Sequence, residues 1–393
     1  MNKLLLNTGV QDFIKNNWNA DTVSVLLKKP LFEGVSQKEL VEQLEAKKKC
    51  KDKLPTWFNT PNIYYPNKLN IEQTSSEETA RYKADLVDGK TLLDLTGGLG
   101  VDSYFFSKKI DTVFHCEINE ELSEIAQYNF EVLDQKNIVC IPEEGIGFLQ
   151  KTDEKLDWIF VDPSRRNNKI GKVFLFKDCL PDLPEHLPLL FKKAKNILVK
   201  ASPLLDIKQG IEELNFVKEI HVVAINNEVK EVLFVLEKDY QNSVVIKTIN
   251  KTQNQEMVFS FNLEDEKDVA IEFDEPKTYL YEPNAAILKS GGFKSVAALY
   301  GLKKLHQHSH LYTSDRDLDF PGRRFSILKA LTYSKSTLKQ FAHKKANITT
   351  RNFPMPVSEL RKKHNIKDGG DTYLFFTKTA KEALMVLECK KME

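Results

Sequence analysis

Along the first 70 residues, apolar positions recur at helical spacing. Ser36 stands where a helix would start, Leu40, Val41 and Leu44 share one face, and Leu54-Pro55 follows a lysine-rich end. QTSSEETARYKADLVDG predicts a short helix stopped by Gly89. From Lys90 the rhythm changes. The short apolar runs TLLDL, TVFHCE, NIVCI, LDWIFVD and NILVKA alternate with helical stretches at 101–108, 119–133, 144–151 and about 184–195. Such alternation predicts a parallel sheet covered on both faces. KEIHVVAINNEVKEVLFVLEK breaks the rhythm: two strands meet at Asn226-Asn227 with no helix between them. That is a hairpin, so one strand at the end of the sheet is expected to run antiparallel. Residues 241–280 predict short strands and turns, and the chain from 281 onward predicts a mixed α+β module.

With 393 residues the chain exceeds one ordinary core, so two or three domains are expected. Its apolar share of 41% and charged share of 29% are those of a globular protein. Five scattered cysteines form no CxxC pair, which fits a reducing, cytoplasmic setting and offers no zinc signature. The apolar run near the start is too short for a signal peptide, and no later run is long enough to span a membrane. The net charge of +1 conceals an asymmetry. Residues 281–393 hold 21 Lys and Arg against 10 Asp and Glu, while the rest of the chain holds 36 against 46. A basic module on an acidic body is a cue for a polyanionic partner, and a lysine-rich solvated surface is the plainer alternative.

The chemistry concentrates in LLDLTGGLGVDS, residues 92–103. A triphosphate loop needs Gly-Lys-Ser/Thr, but Gly100 is followed by Val101-Asp102. A dinucleotide fingerprint wants a further glycine where Ser103 stands, and Asp102 would face a pyrophosphate unfavourably. A cationic ligand without phosphates suits the segment better, and S-adenosylmethionine is such a ligand. Asp94 can serve its amino-acid end, Gly98 and Gly100 let the backbone approach, and Glu117 can take the ribose hydroxyls, as it also would in NAD. Glu144 or its neighbour follows the third strand within reach of an adenine amino group. Asp162-Pro163 ends the fourth strand at the ligand crevice of such sheets.

Residues 73–238 resemble a class I S-adenosylmethionine-dependent methyltransferase. Asp94-Leu95-Thr96-Gly97-Gly98-Leu99-Gly100 matches that family's first motif with Thr96 in place of its first glycine, and Glu117, Glu144 and Asp162 fall on the next three motifs. QTSSEETARYKA, DLTGGLGVD, DPSRR, YLYEPNAAILKSG and RNFP…GGDTYLF extend the resemblance to bacterial methyltransferases that carry ferredoxin-like and THUMP-like pieces. The resemblance implies an α/β fold: a Rossmann-like seven-stranded sheet with an antiparallel last strand, an N-terminal helical region and a C-terminal α+β module. The expected division is 1–70 helical, 71–240 cofactor-binding, 241–320 β-rich and ferredoxin-like, and 321–393 basic and THUMP-like. It further implies S-adenosylmethionine held by Lys83, Asp94, Thr96, Gly98, Gly100, Asp102, Glu117, Glu144 and Asp162. RNA is the implied partner, through Arg323, Arg324, Lys344, Lys345, Arg351, Arg361, Lys362 and Lys363.

DPSRR sets the chemistry. Methyltransferases acting on exocyclic amines often carry Asp/Asn-Pro-Pro-aromatic here, where the acid and the next carbonyl accept hydrogen bonds from the amine. Asp162-Pro163 keeps that half, whereas Ser164-Arg165 replaces the second proline and the stacking ring. Enzymes that methylate uridine carbon need a cysteine after the fifth strand, where this chain has Ser202-Pro203; Cys179 is the nearest thiol. Direct transfer to a nitrogen or a ribose oxygen is therefore expected, with Asp162, Pro163, Ser164, Arg165 and Arg166 at the acceptor and one or both arginines on a phosphate or base. A protein or small-molecule acceptor, and an RNA-binding protein that has lost the chemistry, are the alternatives.

Other patterns carry less. His306, His308 and His310 alternate as on a solvated strand edge, and no metal is expected there. Asp315, Asp317 and Asp319 read as a turn. Phe325, Phe341 and Phe353, interleaved with the basic residues, are expected to form a scaffold beneath a charged surface. Lys47–Lys49, Lys51 and Lys53 read as a solvated helix end, and Tyr82 stands beside Lys83 before the first strand.

Overall fold

A computed structural model of the chain describes residues 1–165 and 175–392; Arg165 is described by its backbone, and Arg166 lies outside the described residues. The chain divides into two compact units, residues 1–217 with 233–241, and 218–232 with 242–393.

The first unit opens with short helices, the longest Gln37–Lys53. Ser36 caps it through a reciprocal pair with Glu39, which satisfies two backbone donors at the helix start. Lys47 departs from the solvated reading. It is buried, donates to the Phe58 carbonyl at 2.7 Å and lies over the Phe58 ring. The sheet of this unit is built from β1 (Thr91–Asp94), β2 (Thr112–Cys116), β3 (Ile138–Ile141), β4 (Leu156–Val161) and β7 (Ala194–Ala201), all parallel. Between β4 and β7 a short antiparallel ribbon joins β5 (Ser164–Arg165) to β6 (Cys179–Leu180). The strand order is β7-β4-β1-β2-β3. Leu92, Leu93, Ile159, Val161, Ile197, Leu198 and Val199 are fully buried, as strands covered on both faces require.

The hairpin at Asn226-Asn227 forms as expected: β8 (Val217–Ile225) turns into β9 (Glu228–Glu237) with both asparagines at positive φ, the two-residue turn whose twist suits paired strands. Its place differs from the expectation. The antiparallel strand β9 has β7 and β8 as neighbours and so does not end the sheet. The seven strands expected are present, and in the second unit β10 (Val245–Lys251) pairs parallel with β8 while β11 (Glu256–Asn262) pairs antiparallel with β10.

The second unit also contains a seven-stranded sheet: β12 (Tyr279–Pro283), β13 (Lys303–Lys304), β14 (Tyr312–Ser314), β15 (Gly322–Thr332), β16 (Asn347–Thr350), β17 (Thr372–Lys378) and β18 (Leu384–Lys391), ordered β13-β14-β12-β15-β18-β17-β16. Phe325 and Phe341 are buried and Phe353 packs against the same cores, so the interleaved aromatics are scaffold. His306 does not stand on a strand edge. It sits buried in a turn, 2.7 Å from Glu382 through Nε2, with Asn352 2.9 Å from its other nitrogen. His310 stacks on Phe293 with ring centroids 3.6 Å apart, and burial holds its pKa down at about 4. No cluster of metal-ligating residues occurs among the described residues. No helix among them is long and apolar enough to cross a membrane.

Candidate active site

β1 leads to β2 on one side of the sheet, while β4 lies on its other side. That reversal opens a crevice at the carboxyl ends of the strands, the usual ligand site of open parallel sheets. A cleft of about 730 Å³ occupies it, lined by the segment Asp94–Leu99 and by residues that follow β2, β3 and β4.

Asp94 ends β1 and is almost wholly buried. Its Oδ1 accepts the Thr96 backbone N–H at 3.1 Å, and its Oδ2 accepts the Ser103 hydroxyl at 2.6 Å. Burial raises its pKa to about 7, and the charges of Asp102 and Asp162 push in the same direction. His115 stands 3.0 Å from the same hydroxyl, and burial keeps its ring neutral with a pKa near 4. A Cβ on Gly97 would come within 2.1 Å of that ring, so the loop can pass there only as glycine. Gly98 donates to Glu117 at 2.9 Å. Gly100, at φ 82° and against the Phe130 ring, starts the helix Val101–Phe106.

Thr96 explains its own departure from glycine. Its hydroxyl accepts the backbone N–H of Asp162 at 2.7 Å, which ties the end of β4 to the loop after β1. The Asp162 carboxylate is held through Oδ2 by Lys200 on β7. Pro163 is buried and Ser164 lines the cleft. Glu144 lines it too, but both of its oxygens cap the helix Gly145–Lys151, through Ile146 at 3.0 Å and Gly147 at 2.7 Å. Glu117 likewise accepts the Asn119 N–H at 2.8 Å besides that of Gly98.

Lys83 was expected at the ligand itself. It lies instead behind the wall, fully buried, and its Nζ contacts Asp102 at 3.2 Å and Ser75 at 3.0 Å. Ser75 and Asp102 are the groups that line the cleft, joined at 2.8 Å. Cys179 is buried, with its thiol donating to the Leu175 carbonyl at 3.3 Å, which is no posture for a nucleophile. The Ser202 hydroxyl accepts its own turn's Leu204 N–H at 3.2 Å.

Three groups escaped the motif reading: Ser75, Lys200 and His186, the last lining the cleft beside Leu180, Pro181 and Asp182. Lys200 had one legible signal, a lysine inside the apolar run ILVKA. Among the described residues, this cleft is lined by the carboxylates of Asp94, Asp102, Glu117, Glu144, Asp162 and Asp182 and by the imidazole of His186. Such a lining attracts a cation.

In the second unit the basic residues separate into two kinds. Arg323 and Arg351 both grip the buried Glu282, Arg351 at 2.7 Å. Arg324 pairs with Asp317 at 3.1 Å, and Arg361 pairs with Asp368. All four arginines are thus engaged in ion pairs within the unit. Lys344, Lys345, Lys362 and Lys363 are exposed.

Comparison with known proteins agrees with the fold. Residues 279–321 match the family model of a ferredoxin-like domain, and residues 322–391 match that of a THUMP domain-like family. No curated protein sequence matches the chain. A crystal structure described as a "putative methyltransferase" from Porphyromonas gingivalis W83 is 32% identical, covers 100% of both chains and superposes with a TM-score of 0.91. An rRNA methylase from Streptococcus thermophilus is 15% identical over 42% of this chain and 96% of its own, with a TM-score of 0.31. A Streptococcus mutans protein, also described as a "putative methyltransferase" and crystallised with SAH, is 11% identical over 41% and 96%, with a TM-score of 0.30. The identity to the first of these holds along the whole chain, so the protein belongs to the "putative methyltransferase" family that carries ferredoxin-like and THUMP-like domains at the C-terminal end.

Proposed function

We propose that the protein transfers a methyl group from S-adenosylmethionine directly to a base nitrogen of RNA. The observation that carries this reading is the acidic cleft at the switch point of the sheet, where, among the described residues, six carboxylates meet one imidazole. A ligand with a sulfonium and an ammonium fits such a lining, and one with a pyrophosphate does not. Asp94 and Asp102 would hold the amino-acid end and Glu117 the ribose; Glu144, whose oxygens already cap a helix, would shape the adenine wall. The bound cofactor supplies an electrophilic methyl group. The chain supplies position: with Oδ2 on Lys200 and its N–H on Thr96, Asp162 keeps Oδ1 for an amine N–H of the acceptor. Holding the acceptor nitrogen in line with the methyl carbon is where the rate would come from. The burial of Cys179 supports direct transfer over a covalent route. The THUMP-like domain with its exposed lysines supports RNA as acceptor.

The test is purified protein with radiolabelled S-adenosylmethionine and total RNA from a strain lacking the gene. Label is expected in RNA. Label absent from RNA while calorimetry still registers cofactor binding would refute the RNA half of the reading.

Two further outcomes are expected. Because burial lifts Asp94 to about 7, a cationic ligand must bind the ionised form and release a proton. Affinity for S-adenosylmethionine should therefore rise about tenfold per pH unit below 7 and level off above it, with proton release detectable by calorimetry in buffers of different ionisation enthalpy. The sign is opposite for the ligand-free fold: the contribution of Asp94 to stability is complete below its unfolded pKa of about 3.9 and is lost as pH rises through 7. Separately, the double substitution Lys362→Glu and Lys363→Glu should weaken RNA binding and lower the slope of log affinity against log salt by about 2. Filter binding at several salt concentrations reads both; an unchanged slope would remove these lysines from the interface.

A further inference from the structure

The acidic cleft has two sides. Asp94, Asp102, Glu117 and Glu144 stand at the ends of β1, β2 and β3 or just after them, while Asp162 and Ser164 stand after β4. The second side continues along the chain. Ser164 pairs with Leu180 in the β5–β6 ribbon, and Pro181 and Asp182 follow directly. Asp182 caps the helix Leu183–Lys193, accepting the Glu185 N–H at 3.3 Å, and His186 comes one turn further along. Leu180, Pro181, Asp182 and His186 all line the cleft. The ribbon therefore brings His186 to the side from which Asp162, Pro163 and Ser164 emerge.

The titratable groups of this lining differ in how far they are committed. Asp94 accepts from Thr96 and Ser103, Asp102 is held by Ser75 and Lys83, and Asp162 is held by Lys200. Glu117 accepts two backbone N–H groups, and Glu144 caps a helix with both oxygens. His186 is partly exposed, and its imidazole makes no hydrogen bond or ion pair among the described residues. Imidazole is the side chain best suited to exchange protons near neutrality, and in its neutral form one ring nitrogen accepts.

Methyl transfer to an amine leaves a proton to be removed. The nitrogen lone pair forms the bond to the methyl carbon while the carbon–sulfur bond breaks and its electron pair stays on sulfur. The nitrogen is then four-bonded and positively charged until it loses one of its hydrogens. We propose that His186 is the catalytic base that takes this proton, and that the acceptor is an exocyclic amino group of an RNA base. An exocyclic amino group has both requirements, a lone pair to attack and a hydrogen that must leave. A ring nitrogen with a free lone pair has no hydrogen to lose and would leave the imidazole without a task. Asp162 and His186 divide the work: the carboxylate pinned by Lys200 orients the amine, and the unpaired imidazole removes its proton. The proposal rests on the methyl-transfer reading and deepens it.

The full-length wild type is compared with His186→Gln and His186→Ala, using radiolabelled S-adenosylmethionine and total RNA from a strain lacking the gene. Circular dichroism melting checks that each variant is folded, and calorimetry that its cofactor affinity stays within a few fold. The rate of transfer is expected to fall about 100-fold in both variants. Added imidazole should restore about tenfold of the loss in His186→Ala, where a gap is left, and none in His186→Gln, where the side chain fills it. Nucleoside analysis of the labelled RNA should place the methyl group on an exocyclic amine. A readout without turnover completes the set: RNA together with S-adenosylhomocysteine should shield His186 from diethyl pyrocarbonate, followed by peptide mass spectrometry. The assignment is overturned by wild-type rates in either variant, by a loss in His186→Ala that imidazole leaves untouched, by a methyl group on any other atom, or by equal modification of His186 with and without RNA. Each of these leaves methyl transfer to RNA standing. Wild-type protein that puts no label into RNA refutes instead the reading on which the assignment rests, and the assignment with it.

Discussion

Asp162→Ala is expected to lower the rate of methyl transfer by at least about 10³ while leaving affinity for S-adenosylmethionine within a few fold. The expectation rests on what the side chain holds and what holds it. The backbone N–H of Asp162 is fixed by Thr96 and would remain so in the variant, so the loop after β1 keeps its shape. What disappears is the carboxylate that Lys200 pins at the mouth of β4, and with it the acceptor that would direct an amine. Lys200→Met provides the companion measurement. It leaves the carboxylate in place but unpinned, and a smaller loss, about tenfold, is expected because orientation is relaxed without removing the acceptor. Single-turnover rates with labelled cofactor, alongside calorimetric binding constants, separate the two effects. If Asp162→Ala instead abolishes cofactor binding, the residue belongs to the cofactor wall and not to the acceptor. Normal turnover would remove it from the reaction altogether.

The parts of this site that were readable in advance share a physical reason. β1, β2 and β4 are short apolar runs ending in a carboxylate or followed by one, because strands buried on both faces allow polar groups only where they emerge. Asp94, Glu117 and Asp162 were legible for that reason. Thr96 was legible as a departure from a pattern, yet its purpose was not: its partner is the backbone of Asp162, 66 residues away. Lys200 and Lys83 were obscured in the same way, since each is defined by a carboxylate that tertiary folding brings to it. The basic segment misled in the opposite sense. Arg323 and Arg351 read as surface charge until Glu282, which they share, is seen to be buried beneath them. The alternating histidines misled because a period of two is a strand signal only where strand pairing exists, and around His306 the chain turns.

Lys83→Met is expected to destabilise the first unit by about 3–5 kcal/mol, the usual cost of removing one partner from a buried ion pair. Lys83 is wholly buried and Asp102 is 11% exposed, so neither charge can be hydrated in place if the other is lost. Ser75 would remain as a donor to Asp102, but a hydroxyl does not neutralise a carboxylate. Urea denaturation followed by tryptophan fluorescence reads the change, and a loss below about 1 kcal/mol would mean that the pair is effectively solvated. The double variant Lys83→Met with Asp102→Leu then separates architecture from function. Replacing both charges by apolar groups should recover most of the lost stability, because an apolar pair in such a place costs nothing to desolvate. It should not recover cofactor binding, since Asp102 and Ser75 face the cleft and the lysine behind them acts only by fixing where that carboxylate stands. Stability restored with binding still lost would place Asp102 at the ligand and Lys83 as its support; binding restored together with stability would reduce both residues to packing.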